Sequence, residues 1–202
     1  GYILPTLHVH YHEVSSADVE RIDKRDGQTL MFGDAAISLQ AASLEKRGSL
    51  DNRINKMVEI IKESKDDHFI IWHDQEIERH AIKKAIPEAV EVFGSQDIDT
   101  REDRIIGFSN GEFKYLATKP ILSGSGCNFQ RHCHKAIFLG IGFKFNDFIQ
   151  ACHRIYRFMQ ERECHIHIIY AASEIGILEV LKSKWKRHEI MVSKMTGIIK
   201  EY

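Results

Sequence analysis

Short apolar runs alternate with amphipathic stretches over most of the chain after residue 66. The runs are 67–73, 90–93, 114–118, 135–139 and 165–170. Continuous apolar runs of this length are typical of strands buried inside a parallel sheet. Between the runs, apolar residues recur at helical spacing, as in the segment that starts after Asp74 and ends before Pro87. These repeated strand–helix–strand units predict an α/β fold, in which helices flank a mainly parallel sheet.

The N-terminal third adds a strand and helices but no evident chemistry. Alternating residues predict a strand over 7–14, with His8, His10 and His12 on one face. Such a row could bind a metal ion, but no carboxylate or cysteine partner stands at matching spacing. We therefore expect a half-exposed sheet edge and no metal there. Helical spacing predicts two helices, over 34–46 and 50–64.

Composition excludes some classes of protein. The 202 residues fit one large domain or one domain with an extension, and 43% are hydrophobic. No apolar run reaches membrane-spanning length, and no signal-peptide pattern is present, so we expect a cytoplasmic protein, associated with the nucleoid if bacterial. The formal net charge is −1, so any nucleic-acid surface must be local.

The four cysteines form no CxxC pair, and we expect free thiols in a reducing compartment. A loop rich in Cys and His over 127–134 could join Cys152–His153 or Cys164–His165 in a zinc site. Without closely spaced pairs, ordinary loop and core roles are the better interpretation.

Two stretches carry residues suited to phosphate. The loop after the 114–118 strand contains Ser123, Gly124 and Gly126, small residues that let a backbone approach an anion. It is not a Walker A loop, because no Gly-Lys-Ser/Thr occurs in the chain. Farther on, a helix is predicted over 150–160.

That helix would place Gln150, Arg154 and Arg157 on one edge, where arginines could contact phosphate or form an ordinary solvated face. The residues expected on its other faces, against the core, are Phe148, Ile155 and Phe158.

Helix starts are predicted from capping residues. The expected caps are Asp74, a Thr100–Asp103 capping box, Asn146 or Asp147, and Ser173 before a long final helix. The basic run in that last helix, over 182–187, is either a solvated face or a phosphate-binding patch.

Several segments of the sequence match helicase motifs and occur in the same order as those motifs. They are 69–74, then Gly94–Ser95 with Glu102–Arg104 and Phe108, then 116–129, and finally 150–160. Together they resemble motifs IV, V and VI of the second RecA-like lobe of superfamily-two helicases and translocases, with the Swi/Snf type closest. The resemblance covers residues 66–172 and implies a three-layer RecA-like domain. We expect the flanking segments 1–65 and 173–202 to be extensions.

The resemblance also implies a split active site. In this family ATP with Mg²⁺ lies between two lobes, and the first lobe, absent here, holds the Walker A lysine and the acidic box. Arg154 and Arg157 then correspond to arginine fingers. Residues expected at the ATP interface are Gln150, Gly126 and Asn128. Residues expected to contact the nucleic-acid backbone are Ser95, Thr118, Lys119, Ser123 and Gly124.

The function implied by the resemblance is that of the second motor lobe of a nucleic-acid-dependent ATPase. Its partners would be nucleic acid, with double-stranded DNA favoured by the Swi/Snf likeness, and the N-terminal RecA-like lobe of the same protein. The start at Gly1 fits a segment of a longer chain, which by itself would not hydrolyse ATP. An alternative is a RecA-like binding module without ATPase activity. A small-molecule enzyme is less favoured, because no cofactor fingerprint is present.

Overall fold

The chain is built on one parallel sheet, seen in a computed structural model that describes residues 4–16, 47–122, 127–142 and 144–200. The strands are β1 (Leu7–Val14), β2 (His68–Trp72), β3 (Val90–Val92), β4 (Tyr115–Thr118), β5 (Cys133–Phe138) and β6 (Cys164–Ala171). The helices are α1 (Leu50–Glu63), α2 (Glu76–Ala85), α3 (Ile98–Ser109), α4 (Phe145–Cys152) and α5 (Ile175–Lys200). The helix predicted over 34–46 lies outside the described residues.

The order in which the strands follow one another changes direction at β2, in the middle of the sheet. The order is β1-β6-β5-β2-β4-β3, and each neighbouring pair is parallel. This confirms the predicted α/β fold with a parallel sheet. Between β4 and β5 the chain crosses over β2, so the segments that follow these two strands start on opposite sides of it. Ligands of open parallel sheets bind beside such a crossing, at the carboxyl ends of the strands.

The N-terminal strand is an integral part of the sheet. β1 was predicted over these residues, and it pairs with β6 along its whole length, from Leu7 opposite Cys164 to Val14 opposite Ala171. The backbone N–H of Cys164 also donates to the carbonyl of Thr6 at 3.0 Å. The first strand of the chain therefore forms the outer edge next to the last strand.

Side chains of the central strand alternate between two buried layers. Phe69 and Ile71 of β2 face one cluster, which includes apolar residues of α1 and α2. Ile70 and Trp72 face the other, which includes residues of α3, α4 and α5. Both faces of β2 are thus covered by helices, which explains why its sequence is a continuous apolar run.

The sequence predicted the presence of the helices better than the residues at which they begin. The helices begin after Gln75, Asp97 and Lys144, and a short 3₁₀ turn, Ala172–Glu174, precedes α5. The predicted caps Asp74, Thr100, Asn146 or Asp147, and Ser173 are therefore wrong. At α2 the reason is visible, because Glu78 in the first turn accepts from the backbone N–H groups of both Asp74 and Gln75.

A buried arginine in α1 joins three parts of the fold. Arg53 is fully buried, and its Nη1 donates to the carbonyls of Leu139 and Ile169, both at 3.1 Å. Its Nη2 lies 2.6 Å from Oε2 of Glu174, which is also buried. Its Nε donates to the Ser49 hydroxyl at 2.7 Å. One side chain thus connects α1 to the carboxyl ends of β5 and β6 and to the turn before α5.

Replacing Arg53 with alanine should destabilise the fold strongly. The substitution leaves the Glu174 carboxylate and two strand-end carbonyls buried without this donor, and breaking a buried pair in this way costs about 3–5 kcal/mol. Urea unfolding would measure the loss. Lys56→Ala, which removes an exposed pair with Glu59 on the same helix, should cost less than about 1 kcal/mol. Equal losses in the two variants would contradict this assignment.

Candidate functional site

The carboxyl edge of the sheet gathers part of the predicted nucleic-acid surface. Ser95 follows β3 and is exposed, and Lys119 follows β4 and is half-buried. Thr118 is fully buried, and its carbonyl accepts from the backbone N–H of His73 at 3.2 Å. Thr118 therefore lies beneath this surface, with both its side chain and its backbone inside the fold. The predicted loop residues Ser123 and Gly124 lie outside the described residues.

The positive charge of Lys119 is partly compensated by the carboxylate of Glu76. Its Nζ lies 3.2 Å from Glu76, whose carboxylate also accepts from Nε of Arg79 at 2.8 Å. The hydrogen bond from Arg79 lowers the pKa of Glu76 most, and Lys119 lowers it further, so the carboxylate is held ionised. Arg79 in turn pairs with Glu91 at 2.9 Å and covers the Phe93 ring. Lys119 is thus held at the sheet edge beside a carboxylate that has a second cationic partner.

A backbone hydrogen bond connects the segment before β5 to the turn after α4. Asn128 is exposed, and the next residue, Phe129, is buried and donates its N–H to the carbonyl of Arg154 at 3.1 Å. The segment after β4 is therefore attached to the turn that carries Arg154. Gln150 is exposed in α4. The third residue predicted at the ATP interface, Gly126, lies outside the part of the chain that is described.

The predicted helix over 150–160 is wrong beyond its first turn. α4 ends at Cys152, and Arg154 and Arg157 lie in the turns that follow it. The helical-face argument for the three polar residues does not hold. Phe148 and Ile155 are buried as expected, whereas Phe158 is 63% exposed.

Side-chain hydrogen bonds hold the turns that follow the helix. The carbonyl of Ile155, which a longer helix would satisfy internally, accepts from Nε2 of Gln160 at 3.0 Å. The carbonyl of Phe158 accepts from Gln130 at 3.2 Å. Met159 has φ of 69°, a left-handed conformation that no helix continues through. These contacts turn the chain back toward the start of β6.

The two predicted arginine fingers carry no compensating acid among the described residues. Both side chains are half-buried, and neither forms an ion pair with a carboxylate within that part of the chain. The Nε of Arg154 is buried and has no hydrogen-bond partner there. A buried donor without a partner costs free energy, so the Nε of Arg154 favours an incoming acceptor. Guanidinium groups are suited to binding oxyanions.

A buried histidine stands at the carboxyl end of β2. His73 is fully buried, and neither ring nitrogen has a hydrogen-bond partner among the described residues. Burial lowers its pKa from 6.5 to about 4, and the nearby charge of Lys119 acts in the same direction. The ring is therefore neutral at pH 7.

His73 should make stability fall in mild acid. Its folded pKa is below its unfolded pKa, so the unfolded chain binds more protons between about pH 6.5 and 4. The contribution is full above pH 6.5 and is lost as the pH falls to 4, amounting to up to about 3 kcal/mol. Denaturation across pH 4–7.5 would show a smaller slope in His73→Gln. His134 and His167 have lowered pKa values too, so some slope should remain. An unchanged slope would contradict the assignment.

Sequence reasoning missed the partners of the histidine row. The prediction that this row lacks a carboxylate partner is wrong, because Glu163 Oε2 lies 3.1 Å from Nε2 of His8. Glu163 directly precedes β6, 155 positions from His8 in sequence, so no local spacing could reveal it. Cys133, Cys152 and Cys164 are buried in the core, so they contribute little to the histidine row. Burial raises the pKa of the Cys133 and Cys164 thiols to about 12.

Comparison of sequences finds no match, whereas comparison of structures finds proteins of similar fold. No protein-family model matches the chain, and no curated protein matches it in sequence. The C-terminal part of the Fun30 ATPase domain has a TM-score of 0.53 and 17% identity, over 63% of this chain and 42% of that one. This chain therefore spans less than half of the Fun30 structure.

Two structures of the DEAD-box protein Dbp5 are also similar. Its C-terminal domain has a TM-score of 0.58 and 14% identity, over 67% of this chain and 79% of that one. A C-terminal domain variant of S. cerevisiae Dbp5, bound to Gle1 and IP6, has a TM-score of 0.57 and 13% identity, over 68% and 80%. The chain thus has the RecA-like α/β fold of helicase C-terminal domains. At sequence identities of 13–17%, the structural similarity shows a shared fold and nothing further.

The described helices include none that is long and apolar enough to cross a membrane.

Proposed function

We propose that this chain is the second motor lobe of a nucleic-acid-dependent ATPase, a helicase or a double-stranded DNA translocase. The observation that carries the proposal is the pair Arg154 and Arg157, half-buried and without an acidic partner among the described residues. The shared fold with helicase C-terminal domains and the order of the sequence motifs point the same way.

The arginines suit an ATP site that is shared between lobes. ATP with Mg²⁺, when bound, supplies the phosphoryl group to be transferred, and its main binding residues belong to the first lobe. The orphaned Nε of Arg154 fits such a group, because it needs an acceptor that the described residues do not provide. Arg154 and Arg157 would hold negative charge on the phosphate oxygens, which is the main task of protein groups in phosphoryl transfer.

The surface beside these arginines also fits a partner lobe. Phe158 and Met159 follow Arg157 directly and are 63% and 50% exposed. Large apolar side chains grouped beside charged ones often mark an interaction surface. Gln150 is exposed on the adjoining helix. Docking of a first lobe here would bury the apolar pair and bring nucleotide to the arginines.

Removing either arginine should abolish ATP hydrolysis in the protein that carries both lobes. We expect Arg154→Ala and Arg157→Ala each to lower kcat by at least about 10³-fold, the scale reported for arginine fingers. Nucleotide binding should persist, because the first lobe holds most of the ATP. Steady-state turnover and fluorescent-nucleotide binding would measure the two effects separately.

Arg131→Ala is the matched control, since Arg131 is exposed in the turn before β5 and should leave kcat unchanged. The 202-residue chain alone should show no turnover, because it has no Walker A sequence. Normal turnover in both finger variants would refute the finger assignment. Stoichiometric turnover by the pure chain would refute the split site.

Nucleic acid would lie along the carboxyl edge of the sheet, near Ser95, Lys119 and the segment after β4. We expect Lys119→Ala to weaken binding to all sequences alike and to reduce the slope of log K against log salt by about 1. Glu76 would keep Arg79 as its partner, so this variant should fold normally.

Lys84→Ala, an exposed lysine in the last turn of α2, is the control and should leave the salt slope unchanged. Titrations with duplex DNA, single-stranded DNA and RNA would show which kind of nucleic acid the protein binds. Equal salt slopes for Lys119→Ala and the parent protein would remove Lys119 from the interface.

A further inference from the structure

Five histidines form a stacked ladder on one face of β1 and β6. The parallel register sets His8 opposite His165 and His10 opposite His167, with His12 one step farther along. Ring centroids of neighbours across the strands lie 4.6–5.3 Å apart. Residues two apart on a strand share a face, so the two alternating rows of histidines meet over the first part of the pairing.

A carboxylate joins this ladder at its amino end. Glu163 precedes β6, and its Oε2 lies 3.1 Å from Nε2 of His8. One ring nitrogen of His165 completes a group of three ligand atoms that all lie within 4.8 Å of one another. The His8 and Glu163 side chains are 38% and 62% exposed, so an ion can reach them from solvent.

We propose that His8, Glu163 and His165 bind a divalent transition-metal ion of the zinc type. Two imidazoles and one carboxylate are a ligand set that Zn²⁺ accepts, with a water molecule in the fourth position. Ligand bonds of about 2.0–2.1 Å in a tetrahedron require ligand atoms about 3.3 Å apart. The His8–Glu163 separation already meets this value, and exposed side chains can adjust to bring the third ligand atom in.

The surroundings support the ligands. Nε2 of His10 lies 3.0 Å from Nδ1 of His165, so His10 is a positioning residue that can fix the orientation of the ligand ring. Lys135 lies beside His165 in the sheet, but the Asp67 carboxylate, 2.8 Å from its Nζ, compensates its charge.

A metal ion here would connect distant parts of the chain. His8 and Glu163 are 155 positions apart in sequence; His8 belongs to β1, and Glu163 directly precedes β6. A ligand that binds only the folded state stabilises it in proportion to RT ln(1 + [L]/Kd). Bound metal should therefore raise the unfolding temperature and hold β1 against β6.

The test is titration of the purified, metal-free chain with ZnCl₂ by calorimetry and with CoCl₂ by visible absorption, together with thermal unfolding. We expect one equivalent of Zn²⁺, a tetrahedral Co²⁺ absorption band and a raised unfolding temperature. His8→Gln and Glu163→Gln should each weaken the affinity by at least about tenfold and remove the band. Both sites are partly exposed, so both variants should fold.

Two controls locate the ion. His12→Gln changes the far end of the ladder, and His80→Gln changes an exposed histidine on α2; both should bind as the parent chain does. Binding that survives in His8→Gln and Glu163→Gln would overturn the proposal. So would loss of binding in His12→Gln with His8→Gln unaffected, because it would place the ion among His10, His12 and His167 instead.

Discussion

The ion pair between Arg53 and Glu174 holds the carboxyl edge of the sheet together. Arg53 donates to carbonyls at the ends of β5 and β6, and Glu174 also accepts from the backbone N–H of Ala171. A buried pair gains little unless its remaining hydrogen bonds are satisfied. Here carbonyls and a hydroxyl satisfy the guanidinium, so the pair can join α1, two strands and the turn before α5 at one point.

The proposed nucleic-acid surface depends on which edge of the sheet the loops after the strands lie on. Because all strands are parallel, Ser95 and Lys119 are brought to one edge although β3 and β4 are separate in sequence. The arginines reach their place differently. They lie in turns that are held by Gln160, which donates to carbonyls of Cys133 and Ile155 from a buried position. Gln160, at the end of the 150–160 motif segment, therefore positions the arginine turns from within the core.

Much of the architecture could be predicted, and the site only in part. Apolar runs identified the strands, because a buried parallel strand must be apolar on both faces. The helix predicted through Arg154 and Arg157 was wrong because the chain turns after Cys152, and side chains of Gln160 and Gln130 hold carbonyls of the turns that follow. The burial of Thr118 was also missed, since a polar residue at a strand end gives no local sign of what covers it. The roles assigned to Arg154, Arg157 and Lys119 remain predictions.

The sequence by itself determined the strands, the helices and their parallel α/β class, because hydrophobic periodicity is a local property and burial acts on it directly. Only the tertiary structure decided that β1 lies beside β6. That pairing joins the two histidine rows and brings Glu163 to His8 across 155 positions. No local pattern encodes such a contact, since it depends on strand order, which is set by how helices pack on the two faces of the sheet.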